Sequence, residues 1–114
     1  MKTITLYGIP NCDTVKKARA HLAEQKIDYV FHDFKKQGVP ESLIDIGLAT
    51  VGWERLLNRK GTAWRKLDAA IQGSTVDAAS AKAVMLANPS TIKRPVIQWT
   101  ATRVTVGFTP SEWA

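Results

Sequence analysis

A strand, a turn, a helix and a second strand follow one another within the first 34 residues of this chain, and that succession restricts the fold more than any other feature. Ile4 to Tyr7 alternates β-type residues and runs into Gly8-Ile9-Pro10-Asn11, a cluster of turn formers. Val15, Ala18 and Leu22 then recur at three- and four-residue steps, leaving Lys16, Lys17 and Arg19 outside, which predicts a helix from about Cys12 to Gln25. Ile27 to Phe34 alternates again and reads as a second strand. Two strands joined through a helical crossover lie parallel, because only antiparallel neighbours can be joined by a tight turn.

The rest of the chain extends this start. Val39-Pro40-Glu41 is a helix-start signal, with proline at the first helical position, and that helix is expected to end near Gly52. Thr62 is placed as the cap of a short segment through Leu67. Ser74 to Asp77 has capping-box spacing and is expected to open a helix that Pro89 stops. Pro95 to Trp99 and Arg103 to Val106 read as a hairpin joined through Thr100 to Thr102, and Pro110 to Trp113 as a last helical turn. The order is βαβ, helices, ββ and a terminal helix. It predicts an α/β fold of the thioredoxin class with a four-stranded mixed sheet. At 114 residues, the whole of 1–114 suits one domain.

Composition narrows the function classes. With 45% hydrophobic and 23% charged residues, the chain falls in the ordinary globular range, which argues against disorder. Apolar stretches such as Val84 to Ala87 are far too short for a membrane span, so no membrane partner is expected. Met1 to Gly8 reads as a strand with neither an apolar signal core nor a small-residue cleavage site, which predicts a cytoplasmic protein. The net charge is +6, yet the basic residues are scattered as Lys16-Lys17, Lys35-Lys36, Arg59-Lys60, Arg65-Lys66 and Lys93-Arg94. Without a basic run or aromatic interleaving, no direct nucleic-acid contact is predicted; an anionic small molecule or an acidic protein surface satisfies the same excess. His21 and His32 have no cysteine or carboxylate at ligand spacing, so no metal is expected. Trp53, Trp64, Trp99 and Trp113 are read as packing residues, with an exposed Trp99 the alternative because of its place in the hairpin.

The chemistry concentrates at Cys12, the one cysteine of the chain. It stands at the amino end of the first helix, where unpaired N–H groups and the positive end of the helix dipole favour thiolate over thiol. A helix terminus supplies roughly 0.3–2 kcal/mol, against about 1.4 kcal/mol per factor of ten in the thiol–thiolate balance. A largely ionised sulfur therefore needs a cation as well, and the candidates are Arg59, Lys93 and Arg94. Most free cysteines are merely small buried hydrophobes. The polar neighbours Asn11, Asp13 and Thr14 oppose that reading here. Val15 stands three residues on, so there is no Cys-x-x-Cys pair, and any redox cycle borrows its second thiol from another molecule.

Leu6-Tyr7-Gly8-Ile9-Pro10-Asn11-Cys12-Asp13-Thr14, Leu57-Asn58-Arg59, Ile92-Lys93-Arg94-Pro95-Val96 and Val106-Gly107-Phe108, in that order along nearly the whole chain, resemble the arsenate-reductase-like family (ArsC, Spx and YffB relatives), most of all its YffB branch. The resemblance implies a thioredoxin core carrying a helical insertion, here at about 38–91. It implies Cys12 as nucleophile, Arg59 and Arg94 lining its anion pocket, and Pro95, in a cis peptide bond, beside the sulfur. Lys93 and the backbone N–H groups of Asp13 and Thr14 join them as binding residues. Three positions depart from the glutaredoxin-coupled arsenate reductases of the family. Gly8 stands where they carry a histidine, and Val15 where they carry a serine. Their third pocket arginine precedes a Pro-Ser-Glu stretch; here Thr109 precedes Pro110-Ser111-Glu112, with Gly107 the other possible alignment.

With two pocket arginines in place of three, the resemblance implies a glutathione-dependent monothiol thiol–disulfide reductase, with no bound cofactor, glutathione as co-substrate, and a small disulfide or oxyanion as substrate. A glutaredoxin-coupled arsenate reductase is the alternative within the enzyme class. From another class, Spx-like relatives imply a regulatory adaptor that binds RNA polymerase.

Overall fold

The computed structural model describes residues 3–113. In chain order its elements are β1 (Ile4–Gly8), α1 (Asp13–Glu24), β2 (Tyr29–Asp33), α2 (Phe34–Gln37), α3 (Glu41–Thr50), α4 (Trp53–Leu56), α5 (Thr62–Arg65), α6 (Ala69–Ser74), α7 (Ala78–Ala87), β3 (Val96–Gln98) and β4 (Val104–Val106). Short 3-10 turns follow at Pro89–Thr91 and Pro110–Glu112. None of the described helices is long and apolar enough to cross a membrane. The chain divides into two compact units, one of residues 3–38 and 94–113, the other Val39–Lys93.

The first unit holds the sheet, in the order β2-β1-β3-β4. β1 and β2 pair in parallel from Ile4 opposite Tyr29 to Gly8 opposite Asp33. β1 pairs antiparallel with β3, Leu6 opposite Ile97, and β3 antiparallel with β4, Ile97 opposite Thr105. This is the mixed four-stranded α/β sheet that the element order implies. Ile4, Leu6 and Ile97 share one cluster with Val15, Ala18 and Leu22 of α1, which Trp113 joins. The three-four spacing of α1 thus becomes its buried face, and each large side chain so enclosed contributes about 1.5–3 kcal/mol. Over the flank, Arg19 lies 4.3 Å from the centre of the Phe31 ring and donates from Nε to Tyr29 Oη at 3.0 Å.

Several boundaries differ from the sequence reading. β2 begins two residues later than expected, because Lys26 takes a left-handed conformation (φ 57°) and the Ile27 N–H closes onto the Leu22 carbonyl. It ends at Asp33, whose carboxylate accepts the Lys35 N–H at 2.9 Å and starts α2. The hairpin strands shrink to three residues each, and the last turn is 3-10.

The second unit is helical. Leu43, Ile44, Leu56, Leu57, Ala81, Val84, Met85 and Ile92 are buried. A single antiparallel bridge joins Leu57 to Ile92, flanked by Asn58 N–H to Thr91 carbonyl (2.7 Å) and Lys93 N–H to Leu56 carbonyl (2.8 Å). Lys82 reaches both Glu41 and Asp45 at 2.7 Å, tying α7 to α3. Pro40 is the N-cap of α3 and not its first helical residue, and Thr62 opens α5 behind Gly61 instead of capping it. The expected capping box at Ser74–Asp77 is not formed. The Ser74 and Thr75 hydroxyls bond backward to the Ile71 carbonyl and finish α6. The box forms one step on: Asp77 accepts the Ser80 N–H at 2.9 Å while Ser80 Oγ accepts the Asp77 N–H at 3.1 Å. The short helices α2, α4 and α6 have no counterpart in the sequence reading.

Candidate functional site

The strand registers decide what gathers around Cys12. Tyr7 lies opposite Val96, and Val96 opposite Val106. The end of β1, the start of β3 and the end of β4 therefore meet at one end of the sheet. Gly8 to Cys12, Arg94-Pro95 and Gly107 to Thr109 are the segments that leave the sheet there, and the Gly107 N–H donates to the Pro95 carbonyl at 2.9 Å.

Cys12 is the N-cap residue of α1, with extended backbone (φ −101°, ψ 121°) and a carbonyl that accepts the Lys16 N–H. Its free thiol is half-buried against the core cluster under the sheet. No side chain caps the helix. The first-turn N–H groups, those of Asp13 and Thr14 included, are therefore not taken up by a capping side chain, and such a terminus favours an anion. The Asp13 side chain is exposed and Thr14 half-buried.

Arg94 and Pro95 open β3 across a cis peptide bond, as the resemblance implied. Pro95 is buried and Arg94 half-buried. Arg94 Nε and Nη1 are fully enclosed and have no hydrogen-bond acceptor among the described residues. Enclosing guanidinium donors without an acceptor is costly, so such a group is poised for an anion. Arg59 and Lys93 belong to the helical unit. Arg59 is exposed, lies 3.4 Å from Glu54 and sits 5.1 Å over the Trp53 ring, so its charge already has a local counter-ion. The Lys93 side chain is exposed.

The departures noted in the sequence have local explanations. A Cβ at Gly8 would stand 2.8 Å from Val15 Cγ2, so residues 8 and 15 exclude one another's bulk. A side chain at position 8 and valine at 15 fit together only if the Val15 side chain, β1 or α1 shifts. Gly107 has φ 78°, in the region that only glycine enters freely, so an arginine there would be strained. Arg103 is engaged elsewhere: it donates to the Glu112 carbonyl and lies 5.6 Å from the Trp99 ring centre. Trp99 is half-buried, its indole N–H on Thr105 Oγ1 at 2.9 Å. The sequence reading missed that the Thr109 hydroxyl is enclosed without a partner. Its identity was visible; its burial was not.

Comparison with known proteins places this geometry. The model of the ArsC family matches residues 7–114. The solved structure of the YffB (PA3664) protein is 47% identical, covers 97% of this chain and 96% of its own, and superimposes with a TM-score of 0.91. An arsenate reductase (ArsC) related protein from Brucella melitensis is 51% identical, covering 98% of this chain and 92% of its own, at a TM-score of 0.75. In sequence, the global transcriptional regulator Spx of Streptococcus pyogenes is 24% identical over 96% of this chain and 81% of the regulator.

Proposed function

This chain belongs to the ArsC family, and from that premise we propose that it is a glutathione-dependent monothiol thiol–disulfide reductase acting through Cys12. The observation that carries the reading is the pairing, at one sheet end, of a half-buried thiol on an uncapped helix with an arginine whose enclosed donors have no acceptor among the described residues. The Cys12 thiolate attacks the glutathione sulfur of a mixed disulfide. A bond forms between Cys12 Sγ and that sulfur, the original S–S bond breaks, and the released thiolate takes a proton from solvent. A second glutathione thiolate, or a glutaredoxin thiolate, then attacks the adduct and regenerates Cys12. In sum, the mixed disulfide and one glutathione thiol give the free substrate thiol and glutathione disulfide, or the glutathionylated glutaredoxin, with Cys12 restored. Arg94 holds a glutathione carboxylate, Arg59 and Lys93 add positive charge, the N–H groups of Asp13 and Thr14 stabilise the sulfur anion, and Pro95 shapes its surroundings. A cytoplasmic, reducing compartment supplies the glutathione.

Arsenate is the weaker substrate in this reading. Neither Thr109 nor Gly107, the two positions that could align with a third arginine, offers charge, and loss of one charge-assisted contact costs about 1.5–3 kcal/mol. The Gly8–Val15 contact also leaves position 8 without a polar side chain. Steady-state turnover of a glutathione mixed disulfide and of arsenate, with a glutaredoxin-coupled NADPH readout and Cys12→Ser as blank, decides between them. Disulfide turnover well above arsenate turnover is expected; the reverse order overturns the assignment. The similarity to Spx motivates a second reading, an adaptor for an acidic protein surface such as one on RNA polymerase. Cys12-independent capture of polymerase, with no turnover of either substrate, is its signature.

A further inference from the structure

Among the described residues, four buried side-chain atoms have no hydrogen-bond partner in the protein: Arg94 Nε and Nη1, Thr109 Oγ1 and Trp113 Nε1. The arginine and indole nitrogens can only donate, and the threonine hydroxyl can donate as well. Trp113 stands apart from the other two, in an aromatic cluster. Its ring lies among those of His21, Trp99 and Phe108 at 5.5, 5.8 and 5.5 Å, where π faces accept an N–H weakly. Arg94 and Thr109 have no such explanation. They leave the same end of the sheet, Arg94 just before Pro95 and Thr109 two residues past Gly107, whose N–H bonds the Pro95 carbonyl. The left-handed turn at Gly107 redirects the chain between them.

We propose that Thr109 and Arg94 form one seat for a carboxylate of the thiol co-substrate, with Thr109 a binding residue that sets specificity. The proposal rests on the glutathione reading above. What the enclosed groups share is a need for acceptor oxygens, and between them they carry a single positive charge, that of the Arg94 guanidinium. That matches a monoanionic carboxylate. A multiply charged tetrahedral oxyanion would leave negative charge uncompensated in an enclosed place. A threonine at 109 thus selects against such oxyanions as well as for carboxylates.

The test uses the full chain carrying Cys12→Ser, so that binding is read without chemistry, with S-methylglutathione, its dimethyl ester and inorganic phosphate as calorimetric probes. S-methylglutathione should bind, Thr109→Val should weaken it about tenfold, and Thr109→Ser should restore it. The dimethyl ester and phosphate should bind poorly to all three. Without ligand, Thr109→Val should melt no lower than its parent, because it replaces an unmet hydroxyl with a methyl of similar shape. Equal S-methylglutathione affinity in Thr109→Val, tighter binding of phosphate than of S-methylglutathione, or a lower melting temperature overturns the seat. The two readings fail separately. Unchanged disulfide turnover in Thr109→Val with Cys12 intact removes the seat and leaves the reductase standing. Absence of disulfide turnover, together with Thr109-dependent binding of S-methylglutathione, removes the reductase and leaves the seat.

Discussion

The two units of this chain reach order by different means. The sheet unit is held by strand registers between residues far apart in sequence, Thr5 against Gln98 and Tyr7 against Val96. Those registers bring segments from both ends of the chain to the place where Cys12 begins its helix. The Val39–Lys93 unit is built from helices of four to ten residues, one bridge, an ion triad and a capping box. The contrast extends to their arginines. Arg94 in the first has enclosed, unmet donors, while Arg59 in the second is exposed and paired with Glu54. Long-range pairing can hold a charged group in an uncomfortable position; a surface ion pair relieves its own charge at little cost or gain.

Core truncation probes this contrast most strongly. Leu6→Ala in the sheet unit and Leu43→Ala in the helical unit each remove a fully enclosed side chain, and each should cost about 2–5 kcal/mol in urea melts. If 1–114 unfolds as the single domain expected from its sequence, both variants lower one common transition. Two transitions, each moved by only one variant, would break that expectation. Next come the arginines. Arg94→Met should lower kcat/KM for a glutathione mixed disulfide by roughly ten- to a hundredfold, and Arg59→Met by less than about fivefold. The opposite ranking would mean that the exposed cation, not the enclosed one, binds substrate. Gly8→Ala comes third. Its new methyl meets Val15 at 2.8 Å, an overpacking cost of about 1–3 kcal/mol. Adding Val15→Ala should return part of the lost stability, and strict additivity in that double-mutant cycle would refute the contact.

The smallest effect belongs to the helical unit and depends on pH. The Ser80 N–H and hydroxyl hold the Asp77 carboxyl below its ordinary range. A depressed folded-state value means that this contribution is complete above the unfolded carboxyl's value, about 3.9, and fades as pH falls through the folded one. Melting temperatures of the wild type and Asp77→Ala, followed from pH 5 downward, should therefore converge. A gap that stays constant across that range would remove the carboxylate from the cap.

The same division separates what could be read in advance. The βαβ start, the four-stranded mixed sheet and the buried positions Val15, Ala18 and Leu22 follow from periodicity, because burying one face of a helix or strand writes its spacing into the residues. The place of Cys12 at the head of α1 follows from the turn cluster before it. The cap at Asp77 did not, since Ser74-x-x-Asp77 and Asp77-x-x-Ser80 both carry plausible cap residues. Only the backward bonds of Ser74 and Thr75 to Ile71 choose between them. Helices α2, α4 and α6 are too short for a periodic signal. Around Cys12, residue identities were legible, Thr109 among them, but the enclosure of Arg94 and Thr109 depends on strands some ninety residues apart along the chain meeting in register.

The placement of the tryptophans gives each unit its own optical probes. Trp99 and Trp113 lie in the sheet unit, 5.8 Å apart, while Trp53 and Trp64 lie in the helical one. Trp53→Phe with Trp64→Phe leaves emission from the sheet unit alone, and Trp99→Phe with Trp113→Phe leaves that of the other. Fluorescence of the first pair, read during a reaction at Cys12, follows the unit that holds the thiol. The second pair reports whether the helical unit responds at all, so the chain can be interrogated half by half without any attached dye.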